Sequence, residues 1–264
     1  MGNRYCISRR WGLFSKVTFL WEAEGEYSGG YSLVVKSSAI LDNSTLNLIQ
    51  ATRDSYPEWT VLTFFQCPLC SLDASRQRFC PVAVSLCDPI ERFCNFKSYE
   101  EVEVTIEIEE RKYKKHTTLQ KGLSSLIGIY MVTSGCPVME KLKPMVRYHL
   151  PFATEAETKY RVLSMYLLAQ YFLYRRGKRP DWELKDLVKI YEDIHIINKY
   201  FSQRFSQIKI EDASLNALVI LDCFADSITF SITEDMLAEI EILFNAYIRL
   251  YSTNQVKSGQ TTLS

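Results

Sequence analysis

Hydrophobic residues in the first half of the chain recur at every second position, which is the period of a β-strand. The clearest case is Glu101–Glu109, in which Val102, Val104, Ile106 and Ile108 alternate with four glutamates and one threonine. This pattern predicts a half-buried antiparallel strand with one solvated acidic face.

Other segments of the first half carry weaker strand patterns. Ser15–Glu22 alternates, and Tyr31–Lys36 follows it after a glycine-rich link, so the two predict a β-hairpin. Thr45–Ala51 and Thr60–Phe65 are further strand candidates, and Tyr56-Pro57 marks a break between them.

After His116 the apolar residues recur at intervals of three and four, which is the period of an α-helix. The predicted helices are Thr118–Thr133, Thr154–Arg176, Trp182–Phe205, Asp212–Phe230 and Thr233–Tyr251.

The helix ends carry their own signals. Thr154 with Glu157 forms a capping-box pattern, Gly177 suits the end of the same helix, and Asp181 can cap the next. Gly122 and Gly128 weaken the first helix in isolation but allow a neighbouring element to pack closely.

This order of elements predicts an α+β fold, in which an N-terminal antiparallel β-rich half packs on a C-terminal helical bundle. We assign residues 1–116 to the β-rich half with the cysteine cluster, residues 117–252 to the helical half and residues 253–264 to a flexible tail. No low-complexity linker separates the halves, which favours one integrated domain.

Charge and composition limit the classes of partner and of cellular location that we expect for this protein. Lysine plus arginine and aspartate plus glutamate both number 31 in the 264 residues, so no overall charge attracts nucleic acid or an anionic membrane. No secretory signal opens the chain, and the apolar stretch Val162–Leu173 is too short for a membrane span. We therefore expect a cytoplasmic protein without a membrane span.

Four of the eight cysteines form the most informative pattern. Cys67 and Cys70 make a CxxC pair, Cys80 lies ten residues further on, and Cys136 follows much later; three of these four precede a proline. Two thiolates three positions apart can bind one metal ion, and proline stiffens a ligand loop. The pattern predicts a four-thiolate site, most simply for structural zinc, which would join the two halves of the chain.

Several alternatives stay open for this cluster. Cys-Pro also follows ligands in some iron–sulfur proteins, and CPLC has the form of a dithiol redox motif. The cysteines could also simply be buried, and His149 could replace one of them in a Cys₃His set. Cys223 lies in an apolar helix, and we predict that it belongs to the core.

The remaining candidates favour ordinary surface roles. Glu192 and His195 have the ExxH spacing of half a di-iron site, but the second copy is missing, so we expect a solvated pair. The basic clusters at Arg175–Arg179 and at Lys112–His116 lack an interleaved aromatic platform, which makes nucleic acid an unlikely partner.

The segments QCPLC, CPVAV, LSSLIGIYMVTSGCP, MVRYHLPF and LLAQYF together resemble an uncharacterised family of bacterial proteins of unknown function. The resemblance runs from about Trp59 to the end of the helical half. It implies that the four cysteines and His149 occupy the family's QCPxC, CPVA, SGCP and HLPF motifs, and it implies no activity.

Two functions follow as hypotheses. The first is a regulatory or protein-interaction module with a structural zinc site, whose partner is another protein or a second copy of the chain. The second is an iron–sulfur or thiol redox protein that uses the same cysteines. Whether the protein is an enzyme, and which residues would be catalytic, is left undecided by the sequence.

Overall fold

Four antiparallel strands make one sheet in the N-terminal half of the protein. The structure is a computed structural model, and it describes residues 14–23, 33–50, 53–231 and 234–250. The strands are β1 (Phe14–Ala23), β2 (Leu33–Asp42), β3 (Glu101–Ile108) and β4 (Arg111–Thr118), in the order β2-β1-β3-β4. The predicted hairpin is therefore confirmed as β1 and β2, although the link between them lies outside the described residues.

The acidic face predicted for β3 meets a basic strand. Residues of β4 pair with β3 so that Lys114 contacts Glu103 at 2.6 Å and Lys112 contacts Glu107 at 3.2 Å. Basic side chains of β4 thus lie beside the acidic row of β3 on one face of the strand pair. Cross-strand neighbours of opposite charge stabilise a sheet.

Two strand predictions were wrong. In Thr45–Ala51 the chain turns instead, because the Asp42 carboxylate accepts hydrogen bonds from the backbone of Ser44 and Thr45 and Leu46 takes a positive φ of 57°. Residue 51 lies outside the described residues.

Thr60–Phe65 overlaps a short 3₁₀ turn, Glu58–Thr60, which follows Pro57. Its single sheet contact is an isolated bridge between Val61 and Phe79. The apolar residues that predicted a strand serve burial instead, as in Leu62.

The described helices are α1 (Pro81–Phe93), α2 (Leu119–Val132), α3 (Lys143–Arg147), α4 (Glu155–Arg175), α5 (Lys185–Phe205), α6 (Ala213–Ser231) and α7 (Glu234–Glu241), with 3₁₀ turns at Glu58–Thr60, Met139–Leu142 and Ile242–Phe244. Five of the described helices correspond to predicted ones in the predicted order, and two, α1 and α3, were not predicted. The α+β class is confirmed. Part of the last predicted helix, and all of the predicted tail at 253–264, lie outside the described residues.

Helix α1 was not predicted. Its CPVAV start was interpreted as a rigid ligand loop, but Pro81 occupies the first helical turn, where the missing N–H is not needed. Pro89 also lies within the helix. Proline in both halves of the segment hid the helical period.

The caps of α4 agree with the prediction. The Thr154 side chain accepts the Glu157 N–H, and the Glu157 carboxylate accepts the Thr154 N–H, so the capping box is complete. Gly177 follows with a positive φ of 69°. At the next helix Asp181 accepts N–H bonds from Glu183 and Asp186, although α5 itself begins at Lys185.

Helix α6 lies between α2 and α5. Its Ala213–Phe230 part is long and apolar enough to cross a membrane by length and composition alone, a property that the sequence reading had not assigned to any segment. A single helix of this kind is weak evidence for a membrane span, because core helices of soluble proteins share the property, and 33% of this stretch is buried in the fold, including Ala217, Leu218 and Ala225. Cys223 was predicted to be core but is exposed, since it lies on the opposite face of α6.

Candidate metal centre

Three separate segments carry the four predicted metal ligands. Cys67 and Cys70 lie in a turn between the first 3₁₀ turn and α1, where the Cys70 N–H donates to the Cys67 carbonyl at 3.1 Å. Cys80 is the N-cap residue of α1, and Cys136 follows the end of α2. The Cys80 N–H donates to the Thr60 carbonyl at 2.8 Å. This bond joins α1 to residues 58–70, which we call the turn region.

The thiols interact electrostatically with one another. Burial, and then the charges of Cys70, Cys136 and Cys80, raise the pKa of Cys67 to about 11. Burial likewise raises the pKa of Cys80 and of Cys136. Residues separated by up to 69 positions in the sequence therefore share one neighbourhood.

Backbone N–H groups point at three of these sulfurs. The Leu69 N–H bonds to Cys67. Two further pairs of donors serve the other thiols: Ala83 and Val82 bond to Cys80, and Met139 and Val138 bond to Cys136. Each of these bonds lowers the pKa of its thiol, because it stabilises the thiolate, which is the form that binds metal.

A buried arginine lies beside the cluster. Arg204 of α5 is 2% exposed, and its guanidinium donates to the carbonyls of Trp59 at 2.6 Å and Val61 at 3.0 Å. A third bond reaches Leu62 at 3.2 Å. Three thiols interact electrostatically with its guanidinium: those of Cys80, Cys67 and Cys70. Arg204 thus fastens the turn region to α5 and places a positive charge next to the sulfurs.

The sulfur atoms are not drawn together as tightly as in a closed metal site. Sulfurs at about 2.3 Å from one zinc ion lie about 3.8 Å apart. Within the described part of the chain, the one group of three or more potential ligand atoms that all lie within 4.8 Å is His195, Asp222 and Asp226. Four thiolates are a donor set that suits zinc, but the sulfurs would have to move inward to bind one ion.

His149, the alternative ligand, has other neighbours. Its Nε2 lies 2.9 Å from the Ser125 hydroxyl, and its pKa is lowered to about 4 by burial and by the charge of Arg161. None of the thiols is among the groups that shift its pKa.

The cluster around His195 was missed in the sequence. Its Nδ1 lies 3.0 Å from Asp222 and 3.1 Å from Asp226, two carboxylates four positions apart on α6. The spacing of the two aspartates was a usable signal in the sequence. Only the packing of α6 on α5 shows that the neighbours of His195 are these aspartates and not Glu192.

A family model described as a domain of unknown function, DUF6901, matches residues 28–245. The chain belongs to this family. Membership of DUF6901 confirms the resemblance to a family of unknown function, and the matched range includes all four cysteines. No curated protein and no solved structure matches the chain.

Proposed function

We propose that this DUF6901 protein is an intracellular regulatory or protein-interaction module whose two halves are joined by a structural zinc ion on Cys67, Cys70, Cys80 and Cys136. The observation that carries the proposal is the convergence of the four thiols from three segments beside a buried Arg204. A reducing compartment would keep these cysteines available as ligands.

Charge balance supports this reading. A zinc ion bound by four thiolates leaves an excess of negative charge, and such a group is costly to bury without a compensating cation. Arg204 supplies that cation from α5, and the backbone N–H groups at Cys67, Cys80 and Cys136 supply the hydrogen bonds that orient ligand sulfurs. When bound, the ion would cross-link the turn region, α1 and the end of α2.

The alternative is an iron–sulfur or redox site on the same four residues. Thiol exchange is the weaker of the two, because a nucleophilic cysteine needs a lowered pKa, whereas burial raises the pKa of Cys67 and of Cys80. An iron–sulfur cluster uses the same ligand type and differs in its metal and colour.

Metal analysis of protein purified without air tests the proposal. We expect a colourless protein with about one zinc ion per chain, and loss of that zinc in Cys136→Ser. The matched control is Cys223→Ser, because this exposed thiol on α6 lies outside the cluster. Iron with acid-labile sulfide would replace zinc by the alternative, and full zinc content in Cys136→Ser would remove this cysteine from the ligand set.

The proposed interaction surface of the protein lies on helix α4. One face of this helix is buried through Val162, Leu163 and Tyr166. A second face is exposed, and its positions 160, 164, 167, 171 and 174 alternate by four and three, which is the spacing of a coiled-coil seam. Four of the five carry Tyr or Leu, and Tyr174 is 62% exposed.

We infer that the partner on this face is a second copy of the chain. Helix α4 begins with Glu155 and Glu157 and ends with Arg175 and Arg176. In an antiparallel twofold pair, the acidic start of each helix would lie beside the basic end of the other, so charge complementarity favours self-association.

A further inference from the structure

A cavity of about 450 Å³ opens between α2, α3, α4, α5 and α6. This volume is in the range of small-molecule sites, about 300–1000 Å³. Its walls are mainly apolar, with Ile129, Met145, Val146, Leu221 and Phe224 among them. Flexible methionines in such a wall can adapt to an apolar ligand. The space therefore suits a hydrophobic molecule of modest size.

The charged residues that line the cavity all carry the same sign. They are Lys115, Lys121 and Arg161, and among the described residues neither an aspartate nor a glutamate lines the cavity. Arg161 is the most enclosed of them, and its Nη2 donates to the carbonyls of Met145 at 2.9 Å and Tyr148 at 2.6 Å. The remaining face of a guanidinium held in this way can meet an anion.

A second cavity, of about 390 Å³, adjoins the first. The two share His149, Leu150 and Arg161. The second is more polar than the first, and three arginines line it: Arg111, Arg147 and Arg161. Its one carboxylate, that of Glu109, already pairs with Arg147 at 3.6 Å. Arg161 thus stands where an apolar chamber meets a cationic one.

Two buried polar atoms at the first cavity lack a partner. Asn198 is 1% exposed, and its Nδ2 makes no hydrogen bond. The Nδ1 of His149 is also buried without a partner, although its Nε2 contacts Ser125. Buried polar groups are normally satisfied, so these two atoms leave hydrogen-bonding capacity unused in residues of the cavity wall.

We propose that this pair of cavities binds a small amphiphilic anion, such as a medium-chain carboxylate. The apolar tail would occupy the chamber between α2 and α6, and the carboxylate would lie at Arg161, within reach of the arginines of the second chamber. No cysteine lines either cavity, so the site is separate from the proposed zinc centre.

Calorimetry with decanoate on the protein as purified tests the head-group preference. We expect decanoate to bind, decanol to bind roughly tenfold or more weakly, and decyltrimethylammonium to show no measurable binding, because only the carboxylate forms charge-assisted hydrogen bonds with arginine. Equal affinities for the three ligands, or no binding of decanoate, would overturn the proposal.

Two variants locate the site. Ala225 is buried in the cavity wall on α6, so Ala225→Leu should fill the chamber and abolish decanoate binding, whereas Ala156→Leu at an exposed position of α4 should not. Arg111→Gln changes an exposed residue of β4 that lines the second cavity, and it should weaken decanoate binding several-fold without changing decanol binding. Unchanged decanoate binding in folded Ala225→Leu, or in Arg111→Gln, would place the ligand elsewhere.

Discussion

Two basic side chains inside the protein differ in charge: Arg204 is charged, and His149 is neutral. Arg204 is buried, and it keeps its charge because three carbonyls accept its hydrogen bonds and thiols lie nearby. The imidazole of His149 makes a side-chain hydrogen bond with Ser125, and the cationic Arg161 lies nearby. Burial with a like charge favours the neutral imidazole, and His149 therefore resists protonation.

This resistance predicts a pH dependence of stability. An unfolded histidine has its ordinary pKa of 6.5, whereas the pKa of His149 in the fold is about 4. Between these values the unfolded chain takes up a proton that the folded chain does not. The contribution of His149 is thus fully present above about pH 6.5, is lost as the pH falls to about 4, and amounts to about 3 kcal/mol.

Urea unfolding of His149→Gln across this pH range measures the effect. The variant should lose less stability than the parent protein between neutral pH and pH 4, since glutamine does not titrate. His116→Gln, at an exposed position of β4 where Nδ1 lies 3.5 Å from the Glu101 carboxylate, provides the comparison with a histidine outside the core. Parallel curves for the parent and for His149→Gln would contradict the assigned pKa.

At the scale of the elements, α2 is the helix that joins the sheet to the bundle. It contacts all four strands on one side and α6 on the other. A Cβ built on Gly122 would lie 2.7 Å from the Trp21 indole nitrogen and 2.8 Å from a Val104 methyl. Only glycine allows α2 to lie this close to β1 and β3.

The two glycines of α2 should therefore respond differently to alanine. Gly122→Ala should destabilise the fold by up to about 2 kcal/mol, because an overpacking cost of about 1–3 kcal/mol is offset by a gain in helix propensity of only about 1 kcal/mol. Gly128→Ala meets Leu221 at an ordinary 3.4 Å, so the propensity gain should remain and stability should hold or rise. Chemical denaturation of both variants measures the difference, and equal effects would show that Gly122 has room for a side chain.

The strand pair β3–β4 shows how far a local pattern can be carried. Alternation identified β3 from its own residues, including the burial of Val102, Val104 and Ile106. Strand β4 has a basic sequence with little alternation, and it is a strand because β3 offers a matching acidic row. Charge complementarity between two segments is not visible in either segment alone.

At the scale of the whole molecule, the exposed seam of α4 predicts a dimer. Light scattering coupled to size exclusion should give twice the mass of one chain, and both Leu167→Glu and Tyr171→Glu should give monomers, because a charge at the seam is costly to bury. Ala169→Glu is the matched control, since Ala169 is exposed on the same helix but off the seam. A monomeric parent protein, or a dimer that survives both seam substitutions, would rule out this interface.

The cysteine cluster marks the limit of prediction for the site. The CxxC spacing and the Cys-Pro turns identified the four candidates, because ligand loops have local sequence requirements. The backbone donors at Cys80 and Cys136 and the cation of Arg204 could not be predicted, since α1 was not recognised and Arg204 lies 124 positions beyond Cys80.

The sequence by itself determined the class of the fold, most of the helices, the hairpin and the cap of α4, because each depends on periodicity or on residues within one turn of each other. The tertiary structure alone decided which turns replaced predicted strands, which helix face holds Cys223, and how Arg161 and His149 come to border two cavities. These features arise from contacts between distant segments, and the free energy of such contacts depends on packing geometry that local patterns do not encode.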